Sequence, residues 1–207
     1  MVGDIEPETI DNLEAGWRGS LGVITGEITG YFSTKENFLF RDADGFNVTN
    51  GRTRHIGIEA AFTWAITPSL SLAMNGTYAR HTYRFDRPVN SAINATEAIR
   101  FGDDIDTAPR TLGGARLNWT PTPERLVQVG WVHVGRYFTD AANQNTYDGH
   151  DIFDLRTEQG FGGFTGFVHV RNLLDTAYAE RADFAFGNAR SFPSAGRNIT
   201  IGLRFQY

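Results

Sequence analysis

Arginines set beside aromatic rings are the residues of this chain best suited to chemistry. Arg84, Arg87, Arg100, Arg136, Arg181 and Arg190 fall in polar stretches with Tyr83, Phe85, Phe101, Tyr137, Tyr147, Phe184 and Phe186. A guanidinium grips anions through a planar fork of donors and also stacks on ring faces. The combination suits a ligand that is both anionic and aromatic. The competing reading is ordinary loop solvation. Arg84, Arg87, Arg100, Arg136, Tyr137 and Arg181 are the expected ligand contacts.

Other chemistries find less support. Asp103, Asp104 and Asp106 share one stretch and offer the oxygen donors that calcium takes. Asp42-Ala43-Asp44-Gly45 begins like a calcium loop but lacks the distal glutamate. Both read more simply as turns. His55, His81, His133, His150 and His169 show no paired metal spacing, and His133 falls on an outward phase. The absence of cysteine excludes disulfides, thiolate zinc sites and cysteine catalysis. No Ser-His-Asp order or acid pair stands out, so no catalytic residue, metal or cofactor is expected. A net charge of −5 and a pI near 5.5 argue against a nucleic-acid partner.

These residues need elements to hold them, and the pattern is all strand. Leu13, Ala15 and Trp17 oppose Asn12, Glu14, Gly16 and Arg18. Alternation of this kind recurs over Leu21 to Phe40, the return to Ile66, Leu70 to Tyr78, Thr111 to Thr120, Leu126 to Phe138, Ile152 to Glu158, Phe164 to Asp175 and Arg197 to Tyr207. That is roughly nine strands and no helix. There is no apolar run long enough for a membrane-crossing helix. A mean hydropathy of −0.32 looks soluble, yet a barrel wall hides its apolar half behind every second, polar residue. The acidic start MVGDIEPETIDN has no apolar core, so it is not expected to be a secretory signal.

Short connections are expected at residues 19–20, 67–69, 121–124 and 159–163, with long polar ones between, such as Asp86 to Thr107. Outer-membrane barrels have this asymmetry, with short periplasmic turns and long extracellular loops. Trp17, Trp64 and Trp119 precede the first three short turns, all on the apolar phase, and fit a membrane girdle. Glu14, Glu27, Glu59, Asp154, Arg116, Arg156 and Arg204 take the opposite, lumen phase. They either guide a substrate or hold a plug, or they satisfy one another as lateral ion pairs, which is the expected role.

In the last strand Ile199, Ile201, Leu203, Phe205 and Tyr207 oppose Asn198, Thr200, Gly202, Arg204 and Gln206. Together with VRNLLDTAY, SAGRNITIGLRFQY, IEPETIDNLEAGWRG, TNGRTRHIGIEAAFTWAI and DTAPRTLGGARLNWTP, this strand resembles the carboxy end of TonB-dependent outer-membrane receptors. The resemblance runs through nearly all of residues 1–207. It implies the C-terminal portion of an antiparallel transmembrane β-barrel, roughly nine strands of a 22-stranded barrel. The plug domain, the TonB-contacting box and the first half of the barrel are not in the sequence.

The implied function is energised uptake of a scarce nutrient, most often a ferric siderophore, at the bacterial outer membrane. The implied partners are outer-membrane lipid, the barrel-assembly machinery, and the TonB complex through the missing plug. Phe205 and Tyr207 would be the assembly signal. An odd number of antiparallel strands cannot close without one parallel pair, so an open, curved sheet with two unpaired edges is expected. The alternatives are a small independent outer-membrane barrel acting as a structural or channel protein, and a barrel-type hydrolase. The hydrolase needs a nucleophile–base pair near the lipid boundary, which no linked Ser and His supply.

Overall fold

The computed structural model describes residues 6–41, 47–92, 95–185 and 187–205. Asp42-Ala43-Asp44-Gly45, Phe186 and Tyr207 lie outside the described residues. The long strands are β1 (Thr9–Leu21), β2 (Ile24–Arg41), β3 (Asn47–Thr67) and β4 (Leu70–Tyr83). Two short strands follow, β5 (Arg87–Ala92) and β6 (Ala95–Ile99), then β7 (Thr111–Thr122) and β8 (Arg125–Val134). The pair β9 (Tyr137–Phe138) and β10 (Thr146–Tyr147) precedes β11 (His150–Phe161) and β12 (Phe164–Arg171). Then come β13 (Ala179–Ala185), β14 (Asn188–Pro193) and β15 (Asn198–Phe205).

Nine of these form one sheet in the order β1-β2-β3-β4-β7-β8-β11-β12-β15, antiparallel at each pairing. The sheet is not closed: β1 and β15 each have a strand partner on one side only among the described residues. The other six pair as ribbons, β5–β6, β9–β10 and β13–β14, inside the long connections. The nine expected strands are therefore present. The ribbons were invisible as alternation because they lie in loops and rest on small local clusters.

Four tight turns join the sheet strands at one end, at Gly22-Val23, Pro68-Ser69, Pro123-Glu124 and Gly162-Gly163. The first corrects the expected turn at Gly19-Ser20. The β1–β2 ladder continues through Ser20↔Thr25 and Leu21↔Ile24, and the chain reverses where Gly22 adopts φ 60°. A positive φ at the first turn position suits glycine and matches the twist of the flanking strands. The two proline turns instead follow register shifts, between Ala65 and Thr67 and between Trp119 and Thr122. At the other end β8 stops at Val134 rather than running to Phe138, and β12 stops at Arg171, before Asn172 at φ 51°.

Cross-strand partners share a face, so the register assigns the whole sheet at once. Ile24, Trp64, Leu72 and Leu117 form one row, and Arg18, Glu27, Ala61 and Asn75 lie in a row of opposite phase. The first face is apolar and open: Leu13, Ile58, Met74, Ile201 and Phe205 are all exposed. Moving each such side chain from water into hydrocarbon is worth about 1.5–3 kcal/mol. A wall with this much open apolar surface is at home in lipid.

Packed clusters sit instead beneath the long loops. Tyr83 and Ile99 pack with Phe38, Phe40, Phe85, Ile105 and Ala141. Tyr137, Ala179 and Ala182 pack with Val134 and Tyr147.

Candidate functional site: the lumen wall and the loop layer

The lumen wall carries lateral ion pairs. Arg18 Nη2 lies 2.6 Å from Glu27 Oε2. Glu158 takes Arg156 directly and Arg204 at 3.9 Å. Asp154 Oδ1 accepts the Asn172 backbone N–H at 2.8 Å, which ties the end of β12 to β11. Arg116, Asp154 and His169 line one lumen-side hollow of about 680 Å³. Higher on the same face, His55 Nδ1 and His81 Nδ1 meet at 2.8 Å, and Thr53 Oγ1 lies 2.9 Å from His55 Nε2. Spacing in the sequence hid this pair because the ladder, not the chain, brings the rings together.

The loop layer does not gather the expected ligand contacts into one place. Arg136 lines a cavity of about 300 Å³ with Arg110, Tyr137, Phe138 and Thr146, and donates from Nη2 to Thr146 Oγ1 at 3.3 Å. Tyr137 is buried: its hydroxyl donates to Ala182 O at 3.2 Å and accepts Ala182 N–H at 2.9 Å. Arg181 sits 3.2 Å from Asp183, which also takes Arg190 Nε at 2.7 Å. Arg87 donates to Asn50 Oδ1 at 3.1 Å and lies near the Phe40 ring. The Arg100 backbone N–H donates to Asp103.

Arg84 takes a different direction. Its backbone N–H donates to Arg52 O, continuing the outward phase of Arg80 and Thr82, and its guanidinium stacks 3.8 Å from the Phe101 ring centre. Desolvation, and then the nearby charge of Arg54, hold the Arg84 pKa below its ordinary value.

The aspartates of the first long loop bind protein rather than face one point. Asp104 accepts from Arg80 Nε at 3.0 Å and Arg110 Nε at 2.7 Å. Asp103 accepts Arg100 N–H at 2.8 Å, and Asp106 accepts the Tyr83 hydroxyl at 2.7 Å. Among the described residues no group of three or more His, Asp or Glu is placed to hold a metal ion. On the outward face Asp151 Oδ1 accepts Trp131 Nε1–H at 2.8 Å and lies 2.9 Å from His133 Nδ1.

Trp17, Trp64 and Trp119 are open to the apolar side, and stand four, three and three residues before the strand ends Leu21, Thr67 and Thr122. Phe205 is exposed on the same face, opposite Phe164.

A one-sided apolar sheet with tight turns below and ordered loops above defines an outer-membrane β-barrel wall. The sequence profile described as TonB dependent receptor-like, beta-barrel matches residues 1–173, and the chain belongs to that family. The family and fold are those of transport receptors of the bacterial outer membrane. The chain is 24% identical to the ferric aerobactin receptors of Escherichia coli and Klebsiella pneumoniae, covering 97% of itself and 27% of each of them. It therefore spans about a quarter of their length. The ferric yersiniabactin uptake receptor of Yersinia pestis superposes with TM-score 0.79 at 20% identity, over 97% of this chain and 30% of that one. The siderophore receptor of Acinetobacter baumannii gives 0.77 at 14% identity, over 97% and 28%.

Proposed function

We propose that residues 1–207 form the C-terminal wall and extracellular loops of a receptor that imports a ferric siderophore. Import would be driven by the TonB complex acting through a plug held in the completed barrel. The observation that carries this reading is end-to-end similarity to ferric aerobactin receptors, over 97% of the chain. The loop layer supports it: Arg110 and Arg136 border one cavity together with aromatic side chains. Arg136, beside the Tyr137 and Phe138 rings, would hold the anionic iron chelate by ion pairing and stacking, with Arg110 already paired to Asp104 in the same cavity. The lumen wall below offers lateral ion pairs, Arg18 with Glu27 and Arg156 with Glu158, and the proposed work is capture and passage.

In the same reading Trp17, Trp64 and Trp119 are the periplasmic girdle, and Phe205 and Tyr207 the signal for the barrel-assembly machinery. The test is a titration of the complete receptor containing this segment with ferric aerobactin, ferric yersiniabactin and cyanocobalamin. An iron chelate should bind in preference to cyanocobalamin, and Arg136→Gln should weaken that binding about tenfold, near the loss of one charge-assisted contact. Preference for cyanocobalamin, or no binding of any chelate, would remove the siderophore reading.

A further inference from the structure

The lumen face of β3 and β4 carries one pair of side chains that neither the ion-paired wall nor the loop cavity uses. His55 and His81 stand directly opposite each other in the ladder, 26 residues apart in the chain, with their Nδ1 atoms 2.8 Å apart. Both rings are half-buried, and both line a lumen-side hollow of about 510 Å³.

The charge of this hollow favours a cation. Its lining includes Glu14 and Glu59 and no lysine or arginine. Glu14 accepts from Asn12 Nδ2 at 2.7 Å, and neither carboxylate has an ion-pair partner among the described residues. Lys35, one row above the imidazoles, is held by Glu8 at 2.6 Å. Two carboxylates without counter-ions raise the local concentration of cations beside the rings.

The spacing of the nitrogens narrows the choice of cation. Imidazole suits copper, nickel and zinc among the divalent ions. With about 2.0 Å from metal to nitrogen, two ligands at right angles stand about 2.8 Å apart, and two tetrahedral ones about 3.3 Å. The pair already has the shorter spacing, which belongs to the tetragonal geometry of copper(II) and nickel(II). The rings need to tip toward the open lumen so that both lone pairs meet at one point. Two imidazoles supply adjacent positions and water fills the others, so no third side chain is required.

We infer that His55 and His81 bind a hydrated divalent transition-metal ion, copper(II) ahead of nickel(II), through their Nδ1 atoms on the lumen wall. In the metal-free pair one Nδ1 carries a proton and the other a lone pair. Binding needs both lone pairs, so that proton passes to solvent and the same ring takes one at Nε2. Both imidazoles stay neutral, no electron is transferred, and the new bonds run from nitrogen to metal. On His55 the Nε2–H then donates to Thr53 Oγ1, which is buried and 2.9 Å away, and this partner fixes the ring. The inference rests on the lumen placement of this face and is independent of which chelate the loops capture.

The test is copper(II) titration of the complete receptor in detergent, followed by calorimetry and by pulsed electron paramagnetic resonance, which counts the imidazoles on the metal. The wild type should bind copper with two imidazoles, and more tightly than zinc. His55→Gln and His81→Gln should each leave fewer than two and weaken binding at least about tenfold, while keeping heat-modifiable mobility. Fewer than two imidazoles on the wild-type copper, or unchanged binding and spectrum in a folded variant, overturns the inference. Zinc held as tightly as copper would overturn the choice of metal. If neither variant folds, the imidazole count on the wild type decides the matter.

Discussion

His55 and His81 face each other across the β3–β4 ladder with their Nδ1 atoms 2.8 Å apart, and ring centres 5.0 Å apart. At that separation the two nitrogens point almost directly at one another, so one N–H donates to its neighbour's lone pair. The pair is half-buried, and Thr53 adds a contact at 2.9 Å. His81→Leu leaves the His55 nitrogen unpartnered and should cost about 1 kcal/mol. The double variant His55→Leu, His81→Leu should cost less than the sum of the two single changes, by about 1 kcal/mol. Unfolding midpoints of the complete receptor in detergent give the cycle; strictly additive costs would show that the rings do not interact.

Tyr137, one of the expected ligand contacts, also serves as a clamp. Its hydroxyl satisfies both backbone groups of Ala182 and so ties β9 to β13. Tyr137→Phe leaves a buried N–H and C=O without partners, at a local cost of about 1–3 kcal/mol. Limited proteolysis should cut the β13–β14 ribbon faster while the nine-stranded sheet stays resistant. An unaltered ribbon would show that the hydroxyl does not clamp it.

Ahead of β1, Glu8 Oε2 lies 2.6 Å from Lys35 Nζ, and Glu8 Oε1 accepts the Leu39 N–H at 3.1 Å. The hydrogen bond from Lys35, then that from Leu39, hold the Glu8 carboxyl below its usual range. A lowered folded-state pKa means that the tie is complete above the free glutamate value and is lost as pH falls through the lowered one. Hydrogen exchange should therefore show Leu39 protection declining under acidic conditions, with Glu8→Gln removing that pH dependence. The same decline in Glu8→Gln would assign it to another group.

Trp17, Trp64 and Trp119 lie at nearly the same distance from their strand ends. Trp131, on the same outward phase, bonds Asp151 toward the opposite end. Replacing each in turn by Phe and measuring the lost quenching by brominated lipids should place the first three at the periplasmic interface and Trp131 near the outer one. Scattered depths for the first three would dissolve the girdle.

The strands and faces were legible because alternation is the direct imprint of a wall between lipid and lumen. The rows around Trp64, Ile56 and Ile201 needed no structure to be read. The turn at Gly22 was misplaced because Gly19-Ser20 has turn composition, although Ser20 and Leu21 still pair with Thr25 and Ile24. Composition cannot say which glycine takes the positive φ. The loop ribbons were missed because their support is tertiary: Tyr83 and Ile99 pack under one, Tyr137 and Ala182 under another. Side-chain direction beyond a strand end was hidden as well. Arg84 read as one more loop cation, yet the ladder turns it outward beside Arg52, and Arg110, placed only in a strand motif, borders the loop cavity.

The central claim is that this wall belongs to an energised ferric-siderophore importer. The direct measurement is uptake of radioactive iron, supplied as ferric aerobactin or ferric yersiniabactin, by iron-starved bacteria whose only such receptor is the complete one containing this segment. The account predicts iron accumulation that disappears when TonB is deleted and falls with Arg136→Gln. Accumulation that persists without TonB, or no iron uptake while cobalamin enters, would contradict it.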